Sequence, residues 1–247
     1  MANQSSVSIV VPLFNEKELA GDLVKIVYDF SKSVNLDSEL IVVDDGSNDG
    51  SSLLLDELTK TYPFLRAIHL KKNIGIGRAL KTGFASAKKD IIFYTDADLP
   101  VDINVLMPGK AIIDRNEADM VIGNRMGRRE SFLRRFYTGI FNLMIRSLFK
   151  IKLHDINCAM KIFRRSIIND IKLNADGPFI DTELVLKMRN NGFRILELKV
   201  KSMSRRCGCS KFASPERIVG TIFRMILEMV KSYPELRKNT NGKKDSH

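Results

Sequence analysis

Short apolar runs alternate with longer amphipathic segments along the first half of the chain. The runs, rich in Val and Ile, predict strands at 8–11, 40–44, 66–70, 91–95 and 120–123. Between them, apolar positions recur at helical spacing near 16–33, 51–61, 76–88 and 103–117. Wholly apolar strands that alternate with helices are typical of a mostly parallel sheet covered by helices on both faces. We therefore expect an α/β fold.

The second half predicts a long basic helix over about 131–150, a strand at 159–163, a helix over 181–191 and a strand at 194–202. A last helix is expected to begin at Ser214–Pro215, an N-cap followed by proline, and to end near Tyr233. No repeat or long linker interrupts the chain. We expect one domain over 1–234, with halves 1–125 and 126–234, and a disordered basic tail over 235–247.

Composition narrows the class of protein. The 247 residues are 44% apolar and 28% charged, which suits one large core. Three cysteines without a histidine cluster favour neither a disulfide framework nor a zinc site, and they fit a reducing cytosolic compartment. The N-terminus lacks a signal-peptide pattern, and charges interrupt the most apolar stretch, 132–153. We expect a cytoplasmic protein without a transmembrane helix.

The net charge of +11 favours anionic partners. Nucleotides, nucleic acid and an anionic lipid surface all fit the charge alone. No nucleic-acid-binding motif is apparent, and aromatic residues are not interleaved with the basic runs. We therefore expect no nucleic-acid partner, and attraction to a membrane surface explains the charge more directly.

Polar groups follow the predicted strands, where parallel sheets bind ligands. Asp96 and Asp98 close the fourth strand, and their alternation places both carboxylates on one side of the backbone. Two such oxygen donors suit Mg²⁺ or Mn²⁺ shared with phosphates, although a solvated acidic loop is an alternative. Asp44, which ends the second strand, could bind a base or ribose, or could begin a capped turn.

Two further patterns leave alternatives open. The segment from Asn73 to Gly77, with a further Gly83, could be a phosphate loop, or its glycines could allow close packing of helix and sheet. Arg134, Thr138, Asn142 and Arg146 recur every four residues and predict a polar stripe on the long basic helix. That stripe suits a lipid phosphate at a membrane surface. The alternative is an ordinary surface helix with its Phe side chains in the core.

In their order, several segments resemble the family 2 glycosyltransferases of the GT-A fold, and within them the dolichol-phosphate mannosyltransferase-like, or polyprenyl-phosphate, branch. The resemblance extends from about residue 7 to 211. It is carried by VSIVVPLFNE, IVVDDGSNDGS, NIGIGRALKTGF, YTDADL, VIGNR, DINCAMKIFRR and RRCGCSKF. It implies a single GT-A domain with a Rossmann-like, mostly parallel central sheet.

The resemblance also implies roles for individual residues. Asp96 and Asp98 match the metal and diphosphate site, and Arg125 matches an arginine that faces the phosphates. The implied nucleotide-sugar contacts are Pro12, Asn15, Glu16, Asp44, Asp45, Asn73, Asp96, Ala97 and Asp98. Pro100 departs from the branch, where a polar residue often helps the metal, so phosphate oxygens and water would complete the metal shell.

On the acceptor side, the late basic motif matches that of the branch and implies a clamp on the acceptor phosphate and the transferring diphosphate, although an ordinary basic loop is the alternative. The implied acceptor residues are Arg134, Thr138, Arg205, Ser210 and Lys211. Asp181 opens a predicted helix, where capping is a full alternative. Because a phosphate acceptor is already ionised, Asp181 is assigned to loop positioning or to the electrostatics of the acceptor site.

These observations together predict an inverting transferase. It would move a hexose from a GDP-mannose or UDP-glucose type donor to a polyprenyl or dolichyl phosphate, with Mg²⁺ or Mn²⁺. It would lie peripherally on the cytosolic face of a membrane, with a small anchoring subunit as a possible partner. One alternative keeps the fold but uses a sugar hydroxyl acceptor, with Asp181 or Glu183 as base. Another is a non-catalytic nucleotide-sensing module.

Overall fold

The computed structural model describes residues 5–127, 132–203 and 215–241. Its strands are β1 Val7–Leu13, β2 Ser38–Asp44, β3 Leu65–His69, β4 Ile91–Thr95, β5 Met120–Met126, β6 Met160–Arg164 and β7 Ile195–Lys201. Its helices are α1 Lys17–Ser33, α2 Ser51–Thr61, α3 Ile76–Ser86, α4 Leu106–Asp114, α5 Phe132–Phe149, α6 Ile167–Asp170, α7 Ile180–Asn190 and α8 Pro215–Asn241. A 3₁₀ turn at Ile103–Val105 precedes α4.

The seven strands form one sheet in the order β3-β2-β1-β4-β6-β5-β7. Strand β6 runs antiparallel to both β4 and β5, and every other pair of neighbours is parallel. The predicted mostly parallel sheet is therefore confirmed. The direction of β6 is a feature that apolar periodicity does not encode, because both directions give the same buried run.

The strand order changes direction between β1 and β4. From β1 the chain builds outward to β2 and β3, and it then returns to place β4 on the other side of β1. Both central strands are buried along nearly all their length. In open α/β sheets the crevice outside the carboxyl ends of the strands at such a switch point is the ligand site.

The C-terminal helix differs from its predicted bounds. Helix α8 continues through Pro234 to Asn241, so the predictions that it ends near Tyr233 and that the tail is disordered from 235 are wrong for 235–241. Tertiary contacts explain the difference. Leu236 is 1% exposed, and the Asn190 side-chain amide donates to its carbonyl oxygen at 2.7 Å. In the described ranges, every helix is too short or too polar to cross a bilayer.

Candidate active site

The turn after β4 presents two carboxylates at the switch point. Ala97 and Leu99 point into the protein, at 9% and 6% exposure, while Asp96 and Asp98 are half-buried. Leu99 adopts a positive φ of 46°, and its N–H donates to the Asp96 carbonyl oxygen at 3.1 Å, which closes the turn. The expected alternation of the two acids is therefore present. The Ala97 side chain is buried, and the implied contact of Ala97 with the nucleotide stays a prediction.

The electrostatics of this turn disfavour a second negative charge. Burial raises the pKa of Asp96 to about 7, and the charges of Asp98 and Asp181 add to the effect. Arg125 and Lys161 act in the opposite direction but do not cancel it. A carboxylate in this state gains from a bound cation, which is the chemistry expected of a metal-binding pair.

A buried lysine connects the turn to the head of α7. Lys161, on β6, lies opposite Tyr94 in the sheet and is completely buried. Its ammonium forms an ion pair with Asp181, donates to the Cys158 carbonyl oxygen at 2.7 Å and lies 5.4 Å from the centre of the Tyr94 ring. Lys161 was not among the predicted site residues. The sequence feature that could have identified it is a lone cation inside an apolar strand.

Arg125 lies next to these acids but is held by another residue. Its Nε and Nη2 atoms donate to the two carboxylate oxygens of Asp155 at 2.8 and 3.1 Å. The Asp155 side chain is 1% exposed and that of Arg125 is 11% exposed. Asp155 therefore fixes the orientation of the guanidinium, a role that the sequence did not assign.

The loops after β1 and β2 are bonded to each other. The Asn15 N–H donates to the Ser47 hydroxyl at 2.8 Å, and the Asn48 N–H donates to the Asn15 side-chain oxygen at 2.9 Å. The Glu16 N–H donates to the Ser51 hydroxyl at 3.3 Å. Pro12 lies within β1 and is half-buried. Pro12, Asn15 and Glu16 therefore lie at the predicted edge, where Asn15 joins two strand ends.

Asp44 is almost fully buried and already satisfied by neighbours. It accepts hydrogen bonds from the Ser47 N–H and the Ser52 hydroxyl, and its Oδ2 lies 3.0 Å from His69 Nδ1. Burial raises the pKa of Asp44, but the hydrogen bonds from Ser47, Ser52 and His69 outweigh it, so the net pKa is lowered. In this structure Asp44 is an anionic support for the rim, and its contact with a base or ribose stays a prediction.

Asp45 fixes the loop at 73–77, for which the sequence allowed two interpretations. Its two carboxylate oxygens accept from the N–H groups of Ile74 and Gly75 at 3.0 and 2.8 Å. Asp45 therefore fixes the loop at 73–77, and its implied contact with the nucleotide stays a prediction. Asn73 is exposed on the same loop.

The glycines of this loop allow close packing against the segment before α7. A Cβ added at Gly77 would lie 2.5 Å from the Ala175 carbonyl oxygen. The Arg78 N–H donates to the Asp176 carbonyl oxygen at 3.2 Å across the same contact. Close packing is therefore the alternative that the structure supports. Gly77 packs on the 174–178 loop, and Gly83 packs on the sheet, where an added Cβ would lie 2.4 Å from Val10 Cγ1.

The two acids of α7 have different environments. Glu183 is completely buried, accepts from the N–H groups of Asn174 and Ala175, and forms a 2.9 Å ion pair with Lys187. These contacts make it a structural carboxylate and argue against its role as an alternative base, which stays a prediction. Asp181 is 12% exposed and belongs to the cluster around the β4 turn.

Only part of the predicted acceptor set falls within the described residues. Arg205, Ser210 and Lys211 lie outside them, as do the side chains of Arg134 and Thr138. Further along the stripe on α5, Asn142 is buried on the face directed into the protein. Met203 lies beside the turn that carries the acids, because its N–H donates to the Pro100 carbonyl oxygen at 2.8 Å.

The acids at the switch point provide two ligands for a cation. In the ranges 5–127, 132–203 and 215–241, no group of three or more His, Cys, Asp or Glu side chains forms a metal site. Asp96 and Asp98 therefore suit a cation that takes its remaining ligands from phosphate oxygens and water.

A mostly parallel seven-stranded sheet with paired aspartates at its switch point defines a protein of the GT-A fold, as the sequence predicted. Among solved structures, glucosyl-3-phosphoglycerate synthase from Mycobacterium tuberculosis, in complex with Mn²⁺, UDP and glucosyl-3-phosphoglycerate, matches with a TM-score of 0.69. The match is 18% identical and covers 92% of this chain and 79% of that one. The chain belongs to glycosyl transferase family 2, whose model matches residues 8–172.

Curated relatives carry more specific names. Dodecaprenyl-phosphate galacturonate synthase of Rhizobium johnstonii is 32% identical over 226 residues, which is 90% of this chain and 65% of that protein. Undecaprenyl-phosphate 4-deoxy-4-formamido-L-arabinose transferase of Pseudomonas fluorescens is 30% identical over 235 residues, or 89% and 64% of the two lengths. The chain thus spans just under two thirds of each of these relatives.

Proposed function

We propose that this chain is an inverting glycosyltransferase that moves a hexose from a nucleotide diphosphate sugar to a polyprenyl phosphate. One observation carries the proposal: the negative charges of Asp98 and Asp181 act on Asp96 at the switch point, and Arg125 lies beside these acids. Such a site suits a donor whose charged diphosphate arrives with a cation. The names of the two polyprenyl-phosphate relatives support the acceptor.

On the donor side, Asp96 and Asp98 would hold Mg²⁺ or Mn²⁺. The Mn²⁺ and UDP in the mycobacterial neighbour support a divalent cation with a nucleotide. When bound, such an ion neutralises charge on the departing diphosphate. Arg125, oriented by Asp155, would add a fixed positive charge on the same side. The donor is expected to be of the GDP-mannose or UDP-glucose type.

On the acceptor side, a phosphate fits this site better than a hydroxyl group. A hydroxyl acceptor needs a base to remove its proton, whereas a phosphate is already ionised. Glu183 is enclosed by its hydrogen bonds, and Asp181 is paired with Lys161. We propose that Arg134, Thr138, Arg205, Ser210 and Lys211 bind the acceptor phosphate. The bond between Met203 and Pro100 supports this, since Arg205 follows two residues later.

The reaction is a single displacement. An acceptor phosphate oxygen attacks the anomeric carbon of the sugar while the bond from that carbon to the diphosphate breaks. The electron pair of that bond leaves with the nucleoside diphosphate, and the configuration at the anomeric carbon inverts. No proton has to be moved. Negative charge develops on the leaving diphosphate, where the cation and Arg125 would stabilise it.

We further propose that the chain works at the cytosolic face of a membrane, because a polyprenyl chain resides in the bilayer while its phosphate lies at the surface. A small membrane-anchoring subunit is a candidate partner. The chain has 40 Lys and Arg against 29 Asp and Glu, and this excess of positive charge favours binding to an anionic lipid surface.

The test supplies purified protein with Mg²⁺ or Mn²⁺, a panel of radiolabelled GDP- and UDP-sugars, and polyprenyl phosphate in detergent. Label is expected to enter the organic phase with the metal, and not in Asp98→Ala or Lys211→Ala. Exposed positions provide matched controls, Asp22→Ala and Lys60→Ala, which should transfer normally. If no donor labels the lipid while one is still bound or hydrolysed, the acceptor is another molecule, and the hydroxyl acceptor with Asp181 as candidate base becomes the favoured alternative.

A further inference from the structure

A carboxylate on the edge strand β7 is bonded to the turn that orients Arg125. Glu197 lies on β7 opposite Ile122 of β5, in the parallel pairing of these two strands. Its Oε1 accepts from the His154 N–H at 2.6 Å and from the Asp155 N–H at 3.2 Å. Its Oε2 lies 2.7 Å from His154 Nδ1. Glu197 therefore contacts this turn through both of its carboxylate oxygens.

The turn depends on such a contact for its position. It lies in residues 150–159, which are described throughout and contain no helix or strand, so no strand ladder fixes its N–H groups. Asp155 is nevertheless almost fully buried, and a buried N–H that lacks an acceptor destabilises the fold. Glu197 provides an acceptor from the edge of the sheet. The Asp155 backbone is thus held by a side chain 42 residues further along the chain.

Asp155 transmits this position to Arg125. Its Oδ2 accepts from the Arg125 main-chain N–H at 3.2 Å and from Nε at 2.8 Å, and its Oδ1 accepts from Nη2 at 3.1 Å. A bidentate contact of this kind fixes the plane of a guanidinium as well as its distance. A shift of the turn would therefore move or release the Arg125 side chain.

The placement of this guanidinium has a consequence for the rate of transfer. Charge that is fixed before the reaction stabilises a transition state without reorganisation. A misplacement of about 1 Å can lower a rate about 100-fold. In the proposed function, Arg125 stabilises the negative charge that develops on the departing diphosphate. Its contribution therefore depends on the contacts of Asp155 and, through them, on Glu197.

We propose that Glu197 is a positioning residue for Arg125 in the transfer reaction. The proposal rests on the proposed function, which gives Arg125 its role at the diphosphate. Glu197 acts through the backbone of the turn and the Asp155 carboxylate, so its effect on the rate requires the Arg125 guanidinium. Its reach to the two N–H groups, rather than its charge, is the property that the reaction uses.

Rates of transfer with the radiolabelled donor that wild type uses, divalent metal and polyprenyl phosphate in detergent test this path. Glu197→Ala should lower kcat about 10- to 100-fold and change KM for the donor much less, because a contribution to the transition state is lost. Glu197→Gln keeps the length and an acceptor oxygen, and should recover most of kcat. Glu197→Asp keeps the charge but is one methylene shorter, and should not. Glu117→Ala, which removes an exposed carboxylate, is the matched control and should transfer like wild type.

The order of the two conservative variants separates reach from charge. Recovery in Glu197→Asp but not in Glu197→Gln would overturn the proposal, because Glu197 would then act by its charge. A Glu197→Ala protein with the kcat of wild type would overturn it as well. The comparison of Gln with Asp still decides between reach and charge if the alanine variant does not fold.

A cycle with Arg125→Ala separates positioning from a general loss of structure. In that background Glu197→Ala should change kcat less than about twofold, because the group that it positions is absent. Equal fold-losses in the two backgrounds would show that Glu197 acts independently of Arg125 and would overturn the proposal.

The Arg125 Nε–H resonance provides a readout that needs no transfer. Its ¹⁵N NMR signal is identified by its absence from Arg125→Lys. We expect it to exchange with solvent about 10-fold faster in Glu197→Ala than in wild type or Glu197→Gln, because the contact with Asp155 opens more often. Unchanged exchange in Glu197→Ala overturns the positioning, even in a protein that transfers sugar. Faster exchange in a protein that transfers nothing to lipid supports the positioning of Arg125 and contradicts the proposed function alone.

Discussion

Single residues at the switch point are arranged for binding at the expense of stability. Asp96 is a carboxylate among other carboxylates, and its pKa is raised to about 7 chiefly by burial. Lys161 is a completely buried cation whose partner, Asp181, is partly exposed. Both residues cost the folded protein free energy unless a neighbour or a ligand compensates.

Replacing Asp96 should therefore stabilise the protein when no metal is present. Folded Asp96 keeps its proton up to about pH 7, whereas an unfolded aspartate loses it near 3.8. The folded state binds more protons between these values, so the free energy of unfolding falls as the pH rises through them. At pH 8 with EDTA, we expect Asp96→Asn to be about 1–3 kcal/mol more stable than wild type.

Thermal unfolding between pH 5 and pH 8 measures this difference. The gain should shrink toward pH 5, where both folded proteins are uncharged at this position. Asp22→Asn, an exposed site on α1, should show no comparable gain. An Asp96→Asn protein that is no more stable than wild type at pH 8 would contradict the assigned electrostatics.

Removing the cation of Lys161 should be costly. Lys161→Met leaves Asp181 without its ion-pair partner and the Cys158 carbonyl oxygen without its donor. Breaking a buried pair on one side costs about 3–5 kcal/mol. The double variant Lys161→Met, Asp181→Leu should recover part of this loss, because no charge is left unpaired. Chemical denaturation of the four proteins in this cycle measures the coupling, and additive losses would show that the pair is not coupled.

At the scale of single residues, the sequence predicts only those features of the site that a local pattern encodes. The alternation of Asp96 and Asp98 at the end of an apolar run was sufficient to place both at the switch point. The partners of Asp45, Arg125 and Asp181 were not predictable, because each lies on another element, at least 20 residues away. Those contacts depend on the order of the strands and on the direction of β6.

At the scale of elements, the loops of the two halves are packed directly on each other. The 73–77 loop contacts the 174–178 segment at Gly77, and α8 is bonded to both. The glycine pattern indicated close packing as one of two alternatives, but it could not identify the partner. Likewise, Pro234 suggested a helix end, whereas contacts of Leu236 with α7 keep α8 helical.

A matched pair of glycine variants tests this junction. In Gly77→Ala the new Cβ would lie 2.5 Å from the Ala175 carbonyl oxygen, and we expect a loss of about 1–3 kcal/mol. In Gly21→Ala on α1 nothing lies within 4 Å of the new Cβ, and we expect a gain of about 0.5–1 kcal/mol from helix propensity. Denaturant unfolding compares them, and equal effects would contradict the packed junction.

At the scale of the whole molecule, the sheet brings distant parts of the chain to one edge. The ends of β1, β2, β4 and β5 lie there because these strands are parallel, and the antiparallel β6 brings Lys161 next to Tyr94. Apolar periodicity and the family resemblance predicted the class of this sheet. They did not give the register of β6, which depends on long-range pairing rather than local pattern.

The most direct test of the proposed transfer compares two acceptors that differ only in the phosphate. Initial rates would be measured with the active radiolabelled donor and divalent metal, in one detergent, with polyprenyl phosphate or the matching polyprenol. We predict label in the lipid fraction only with the phosphate, because the two acids considered as bases are engaged, Asp181 by Lys161 and Glu183 by backbone N–H groups and Lys187. Comparable transfer to the polyprenol would contradict the account and establish a base-dependent hydroxyl acceptor.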